Sequence, residues 1–130
     1  MNWLTGGPLG EVKRLIAQLS DSTRRDNAAR ELIKLGADSV PPLIDALQTQ
    51  DPGLILYYQH ILARISSATL PLTKALATAH PIIRGRVVEI FGMSKEKLAI
   101  PALLDALKGE YFTVRSRALL ALGNIGDASG

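Results

Sequence analysis

The residues best equipped for chemistry in this chain are His60 and Glu89. An imidazole and a carboxylate form an acid–base pair if neighbouring segments bring them within hydrogen-bond reach. Catalysis also needs a nucleophile or a metal, and a pocket. The second histidine, His80, stands alone in another segment. Two isolated histidines do not supply the several spaced ligands a metal site requires. There is no cysteine, which removes thiolate chemistry, zinc–thiolate sites and disulfides together. No phosphate-loop glycine pattern and no nucleophile elbow occurs. No catalytic residue, no metal and no cofactor is expected. Arginines recur in pairs, Arg24 with Arg25, Arg84 with Arg86 and Arg115 with Arg117. Aligned on one surface, such pairs could meet phosphates.

What must position these residues is an internal repeat. Val40-Pro41-Pro42-Leu43-Ile44-Asp45-Ala46-Leu47 returns as Ile100-Pro101-Ala102-Leu103-Leu104-Asp105-Ala106-Leu107. Thr69-Leu70-Pro71-Leu72-Thr73-Lys74-Ala75-Leu76 lies between them, and Val12–Leu19 is a worn copy. Each reads as a short helix with proline tolerated in its first turn. A second helix follows each one. In the last copy its apolar stripe is Val114, Ala118, Ala121, Leu122 and Ile125, one face of a helix. Ile83, Val87, Ile90 and Phe91 occupy the matching positions of the third copy, and Leu54, Tyr58, Ile61, Leu62 and Ile65 those of the second. In the first copy Ala28, Leu32 and Leu35 match, with Arg24 and Glu31 out of pattern.

The punctuation agrees with helical hairpins. Asp51-Pro52 and His80-Pro81 read as an N-cap followed by proline, and Asp21 and Glu110 stand at matching starts. Gly36 and Gly126 read as C-terminal stops. The expected organisation is a capping segment over 1–10 and a repeat array over 11–130, with hairpins at about 11–36, 39–66, 68–94 and 98–126. Trp3-Leu4 is expected to cover the first exposed end. Lys95-Glu96-Lys97 reads as a solvated loop. Asp127-Ala128-Ser129 matches Ala37-Asp38-Ser39, which precedes a new first helix, so either the array ends here or the chain is cut from a longer array, the second being slightly favoured.

Composition is compatible with this. Of 130 residues, 47% are hydrophobic, enough for a core of Leu, Ile, Ala and Val and too many for a disordered chain. The net charge of +3 permits acidic partners or nucleic acid and demands neither. The first residues form no signal peptide, and the apolar runs are too short and interrupted to span a membrane. A cytoplasmic location is the expectation.

The run Ala99–Leu107, then Val114-Arg115, then Ala121-Leu122-Gly123-Asn124-Ile125-Gly126-Asp127 resembles the HEAT-like repeats of about 30 residues also found in phycobilin lyases. The match is best in the last copy and weakest in the first, and it covers nearly all of the chain after residue 10. The resemblance implies an all-α fold, a right-handed α-solenoid (α-α superhelix) whose second helices line the inner face. It also implies that an acid at the start of the second helix pairs with an arginine a turn later. Arg25, Arg84 and Arg115 match that arginine, as a structural ladder or an anion contact. Ile55 and His80 depart from the pattern and interrupt such a ladder in the middle copies.

On the second helices, the positions opposite the apolar stripe are Asp26, Ala29, Arg30 and Ile33, then Leu56, Gln59, His60 and Ala63. Gly85, Val88, Glu89 and Gly92, then Ser116, Leu119, Leu120 and Gly123, continue the series. If these face inward as the resemblance implies, they pave a shallow, partly apolar groove suited to a partner helix or peptide. Ile55, Leu56 and Tyr57 belong to a segment apolar on all sides, which a small stack cannot cover completely. The expected partner-binding residues are therefore Arg30, Ile33, Ile55, Leu56, Tyr57, Gln59, His60, Val88, Glu89, Leu119 and Leu120. The leading functional reading is a protein–protein interaction scaffold. The alternatives are a phycobilin lyase-like subunit handling a chromophore through His60 and Glu89, and nucleic-acid binding through the arginine pairs. Self-association through an open repeat end is a further expectation, and a membrane partner is not expected.

Overall fold

The computed structural model describes residues 7–129, and the expected cover by Trp3-Leu4 lies outside them. Among the described residues the secondary structure is helical throughout: α1 (Gly7–Gln18), α2 (Arg25–Leu35), α3 (Val40–Ala46), α4 (Pro52–Ala63), α5 (Thr69–Thr78), α6 (Pro81–Ser94), α7 (Ile100–Ala106) and α8 (Phe112–Ser129). Short 3-10 turns at Gly36–Ser39, Ser66–Ala68 and Lys97–Ala99 lead into α3, α5 and α7. The fold is all-α, of the helical-repeat type. None of these helices is long and apolar enough to cross a membrane.

The chain divides into two compact units, Met1–Ala68 and Thr69–Gly130. In the first, α1 packs on α2 and α3 on α4, while α2 lies beside α4 and α1 beside α3. In the second, α5 packs on α6 and α7 on α8, with α6 beside α8 and α5 beside α7. Each unit is thus two hairpins stacked like on like. Stacking buries the stripe that a single hairpin leaves open. Ala28 and Leu32 of α2 are buried, as are Tyr58, Ile61 and Leu62 of α4. Ile83, Val87, Ile90 and Phe91 of α6 and Val114, Ala118, Ala121 and Ile125 of α8 are buried likewise.

Local chemistry sets several boundaries. Asp51 caps α4, its Oδ1 accepting from Gly53 N at 2.9 Å and Leu54 N at 3.2 Å. His80 does the same for α6 through Nδ1, which accepts from Ile82 N at 3.2 Å. Gly36 ends α2 at φ 65, a left-handed backbone that favours glycine. In the loop that follows, the buried Ser39 hydroxyl donates to Leu32 O at 2.7 Å and ties α2 to the start of α3.

Four expectations are corrected. Residues 7–10, assigned to the capping segment, form the first turn of α1. Asp21 does not cap α2, which starts at Arg25; its carboxylate instead accepts from the Thr23 amide at 2.9 Å and hydroxyl at 2.7 Å, closing a turn of its own. Gly126 does not stop α8, which runs on to Ser129. A glycine ends a helix only where its backbone turns left-handed, and Gly126 is not among the positive-φ residues. The Lys95–Lys97 loop is not merely solvated. Glu96 accepts from Leu98 N at 3.1 Å and from the Thr69 hydroxyl at 3.2 Å, pinning the loop to the start of α5.

Candidate functional site

The arginines at the starts of the second helices do not form an acid–arginine ladder. Arg25 Nε donates to Leu19 O at 2.7 Å, and Arg115 Nη1 donates to Gly109 O at 2.6 Å. Both acceptors lie just past the end of the first helix of the same hairpin. Carbonyls there have no intrahelical partner, and a nearby guanidinium satisfies them with a charge-assisted bond. The acid Asp21 pairs instead with Arg24, at 3.7 Å on the open surface. Arg84, the third member of the set, has no such carbonyl bond. Its guanidinium lies 5.2 Å from the centre of the Tyr111 ring, and its Nε is buried without an acceptor. Arg25 also stacks on an aromatic ring, 4.5 Å from the centre of Tyr57, and donates from Nη1 to the Tyr57 hydroxyl at 3.0 Å.

In the first unit, Leu56 is 51% exposed and Tyr57 stands beside it at the surface, held by Arg25. Arg30 and His60 are exposed, and Ile33 and Ile55 are half-buried. Gln59 is buried, which corrects its place among partner-binding residues. It precedes the buried Leu62 by one helical turn and is drawn under with it.

In the second unit, α6 is buried on nearly every side, and the expected open face of this helix is closed. Gly85, Val88 and Gly92 are all buried. At Gly85 the Arg117 side chain of α8 lies across the helix, its Nη1 2.7 Å from where a Cβ would sit. At Gly92 the α8 backbone itself closes in, with Ala121 Cα 3.3 Å from the Cβ position. Val88 therefore cannot present itself to a partner. Glu89 is half-buried and pairs with Arg117 at 3.5 Å. His60 and Glu89, the expected acid–base pair, belong to different units. Leu119 and Leu120 of α8 are 65% and 69% exposed.

Sequence reasoning missed the surface between the N-terminal halves of α6 and α8. His80, Ile82, Arg86, Phe112 and Arg117 share an open groove of about 770 Å³ there. One signal was available. Tyr111-Phe112 occupies the positions held by Asp51-Pro52 and His80-Pro81, outside the buried stripe that begins at Val114. An aromatic pair in place of a cap and a proline has no role in the hairpin pattern. Among the described residues no group of three or more His, Asp or Glu side chains could hold a metal ion.

Comparison with known proteins agrees with this architecture. The HEAT repeats family matches residues 69–129, the whole of the α5–α8 unit except its last residue. The PBS lyase HEAT-like repeat matches residues 24–49, which run from the start of α2 through α3. The lyase-type match thus falls on the first two copies, and the HEAT repeats match on the last two. A search of curated proteins found no match. With its repeated stripe, its hairpins stacked like on like and these two family matches, the chain is a HEAT-like repeat protein.

Proposed function

We propose that the chain is a protein-interaction module, a scaffold or adaptor that docks a helix or peptide of a partner in the cytoplasm. The observation that carries this reading is the pair of adjacent leucines on α8, Leu119 and Leu120, both about two-thirds exposed. Leu56 of α4 supports it from the first unit. Burying one such side chain against a partner contributes about 1.5–3 kcal/mol, so a few of them supply useful affinity. In this reading Arg30, His60 and Glu89 are the polar side chains that orient a partner. The nucleic-acid reading loses force because the arginine pairs are divided. Arg25 and Arg115 are committed to backbone carbonyls and Arg84 to the Tyr111 ring. The chromophore-handling reading rests on the repeat type alone.

The test is capture of partners from native lysate with the chain as bait, at low and high salt, beside Leu119→Asp and Leu56→Asp. A discrete protein should be retained by the native chain at high salt and lost from both variants, with helicity unchanged by circular dichroism. Capture that ignores both substitutions would sink this reading. Recovery of nucleic acid alone, released as salt rises, would favour the arginines instead. A mass that grows with concentration, abolished by Leu119→Asp, would make the partner a second copy.

A further inference from the structure

Within the α5–α8 unit the first hairpin shows what covers a face that the second leaves open. Ile83 and Val114 open the two buried stripes, and counting from them Gly85, Val88 and Gly92 of α6 correspond to Ser116, Leu119 and Gly123 of α8. On α6 this face is filled by α8. Val88 is fully buried, and Ala121 Cα comes within 3.3 Å of where a Cβ on Gly92 would sit. On α8 the same face is bare. Leu119 is 65% exposed, and among the described residues nothing packs within 4 Å of the Cβ position of Gly123. The first helices agree. Thr73 of α5 shares a hollow with Ala102 and Ala106 of α7, and its counterpart on α7, Leu104, is 49% exposed.

A hairpin whose outer face meets water keeps that face polar. The α2 face follows this rule. Asn27, Glu31 and Lys34 stand at the positions of Arg117, Ala121 and Asn124, and Asn27 and Lys34 are exposed. The α8 face departs from it in the opposite direction. From the α5–α6 hairpin to the α7–α8 hairpin, Thr73 gives way to Leu104 and Glu89 to Leu120. The open face is therefore more apolar than the filled one it copies. Gly123 also keeps the gap that lets a neighbouring helix reach the backbone at Gly92. Apolar side chains around such a gap suit another helix.

We propose that this face pairs with the same face of a second copy of the chain, α8 lying antiparallel on α8 about a two-fold axis. Such a contact is self-complementary. Leu119 of each copy lies over Gly123 of the other, where the missing side chain leaves room, and Leu104 meets its counterpart alongside. Head-to-tail stacking would instead put the α2 face on α8. Glu31, in the place that Ala121 takes against α6, would then press on Leu119 and Gly123, an unpaired charge in an apolar contact. The 18 residues of α8 make the face about 27 Å long, and two helices make it about 20 Å wide. That gives roughly 500 Å² per copy and about 1,000 Å² in all, the lower end for a specific contact. The dimer is accordingly weak, with a Kd of about micromolar order.

The inference rests on the interaction-module reading and names a second copy as the occupant of the α8 face. Its test is sedimentation equilibrium of the full chain from about 1 µM to about 500 µM, on both sides of the expected Kd. The average mass should rise from 14.0 kDa toward twice that value and level off there. Gly123→Leu fills the gap with a side chain that meets open space within one copy, and it replaces a helix-interior glycine, so the fold should tolerate it. It should raise Kd about tenfold or more by holding the two helices apart. Leu104→Glu should weaken the dimer about tenfold by placing a charge in the contact. Lys34→Glu, on the α2 face, should leave the mass curve unchanged. A chain that stays at 14.0 kDa throughout, or dimerisation indifferent to both Gly123→Leu and Leu104→Glu, would overturn the proposal. So would a mass that climbs past the dimer or that Lys34→Glu alters, since either marks head-to-tail stacking. No dimer, with a lysate protein captured through Leu119 and Leu56, would refute the second copy alone. A dimer without such capture would refute only the reading that a different protein docks on these leucines.

Discussion

Gly85 and Gly92 are both buried in α6, two turns apart, and alanine should act on them with opposite sign. In a helix interior alanine is favoured over glycine by about 1 kcal/mol. What the added methyl meets decides the outcome. At Gly85 the nearest atom is Arg117 Nη1, 2.7 Å away, followed by Cδ at 3.6 Å. That contact is too short, but it involves the far end of a long side chain that can swing aside. The loss is the Arg117–Glu89 pair, a 3.5 Å contact between side chains 36% and 40% exposed, worth about 0–1 kcal/mol at such exposure. Gly85→Ala should therefore be neutral or stabilising by up to about 1 kcal/mol. At Gly92 the methyl would lie 3.3 Å from Ala121 Cα, 3.4 Å from Ala121 Cβ and 3.4 Å from Asn124 Nδ2. Here the neighbour is the backbone of a packed helix. Overpacking of this kind costs about 1–3 kcal/mol, so Gly92→Ala should be destabilising by about 1 kcal/mol after the propensity gain. The two variants should differ by about 1.5 kcal/mol, or about 5 °C in Tm for a chain of this size. Urea and thermal melts followed by circular dichroism measure both. A Gly92→Ala protein as stable as the native chain, or a Gly85→Ala protein destabilised by more than about 1 kcal/mol, would refute this account of how α6 and α8 approach.

Two further outcomes are expected. Arg115→Met keeps the apolar stem but removes the donor to Gly109 O, and should destabilise by about 1.5 kcal/mol in urea melts; Arg115→Lys should recover part of the loss, and a silent Arg115→Met would exclude a structural role for this bond. Burial, with the nearby charge of Asp51, raises the pKa of Tyr58 above its ordinary value of 10.0. The folded state thus holds the phenol proton more tightly than the unfolded chain. This contribution is fully present below pH 10.0 and is lost as pH rises toward the folded pKa. Tyr58→Phe should flatten the alkaline fall in melting temperature relative to the native chain, and identical pH profiles would argue against it.

Periodicity alone identified the second helices and their buried stripes. Spacings such as 114, 118, 121 and 125 place side chains on one face of a helix whatever the helix packs against, and that face is the buried one. The stops and starts made by a local backbone or side-chain group were legible for the same reason. Asp51 and His80 reach amides two or three residues away, and Gly36 needs only its own φ. Three kinds of feature were decided only by tertiary structure. The partner of an arginine depends on which orphan carbonyl the fold brings within reach, so Arg25 and Arg115 turn to Leu19 and Gly109 while Arg84 turns to Tyr111. Spacing within a helix carries no record of that choice. A helix apolar on nearly all sides, such as α4, has no polar face to mark what stays open, so Gln59 is buried while Leu56 is exposed, and Val88 of α6 is buried where that helix packs between α5 and α8. The basic groove joins His80 and Arg86 to Phe112 and Arg117, residues one repeat apart. Phe112 stands out of the hairpin pattern, but His80, Arg86 and Arg117 look like ordinary positions of their own helices, and only the packing of α6 on α8 brings the four together.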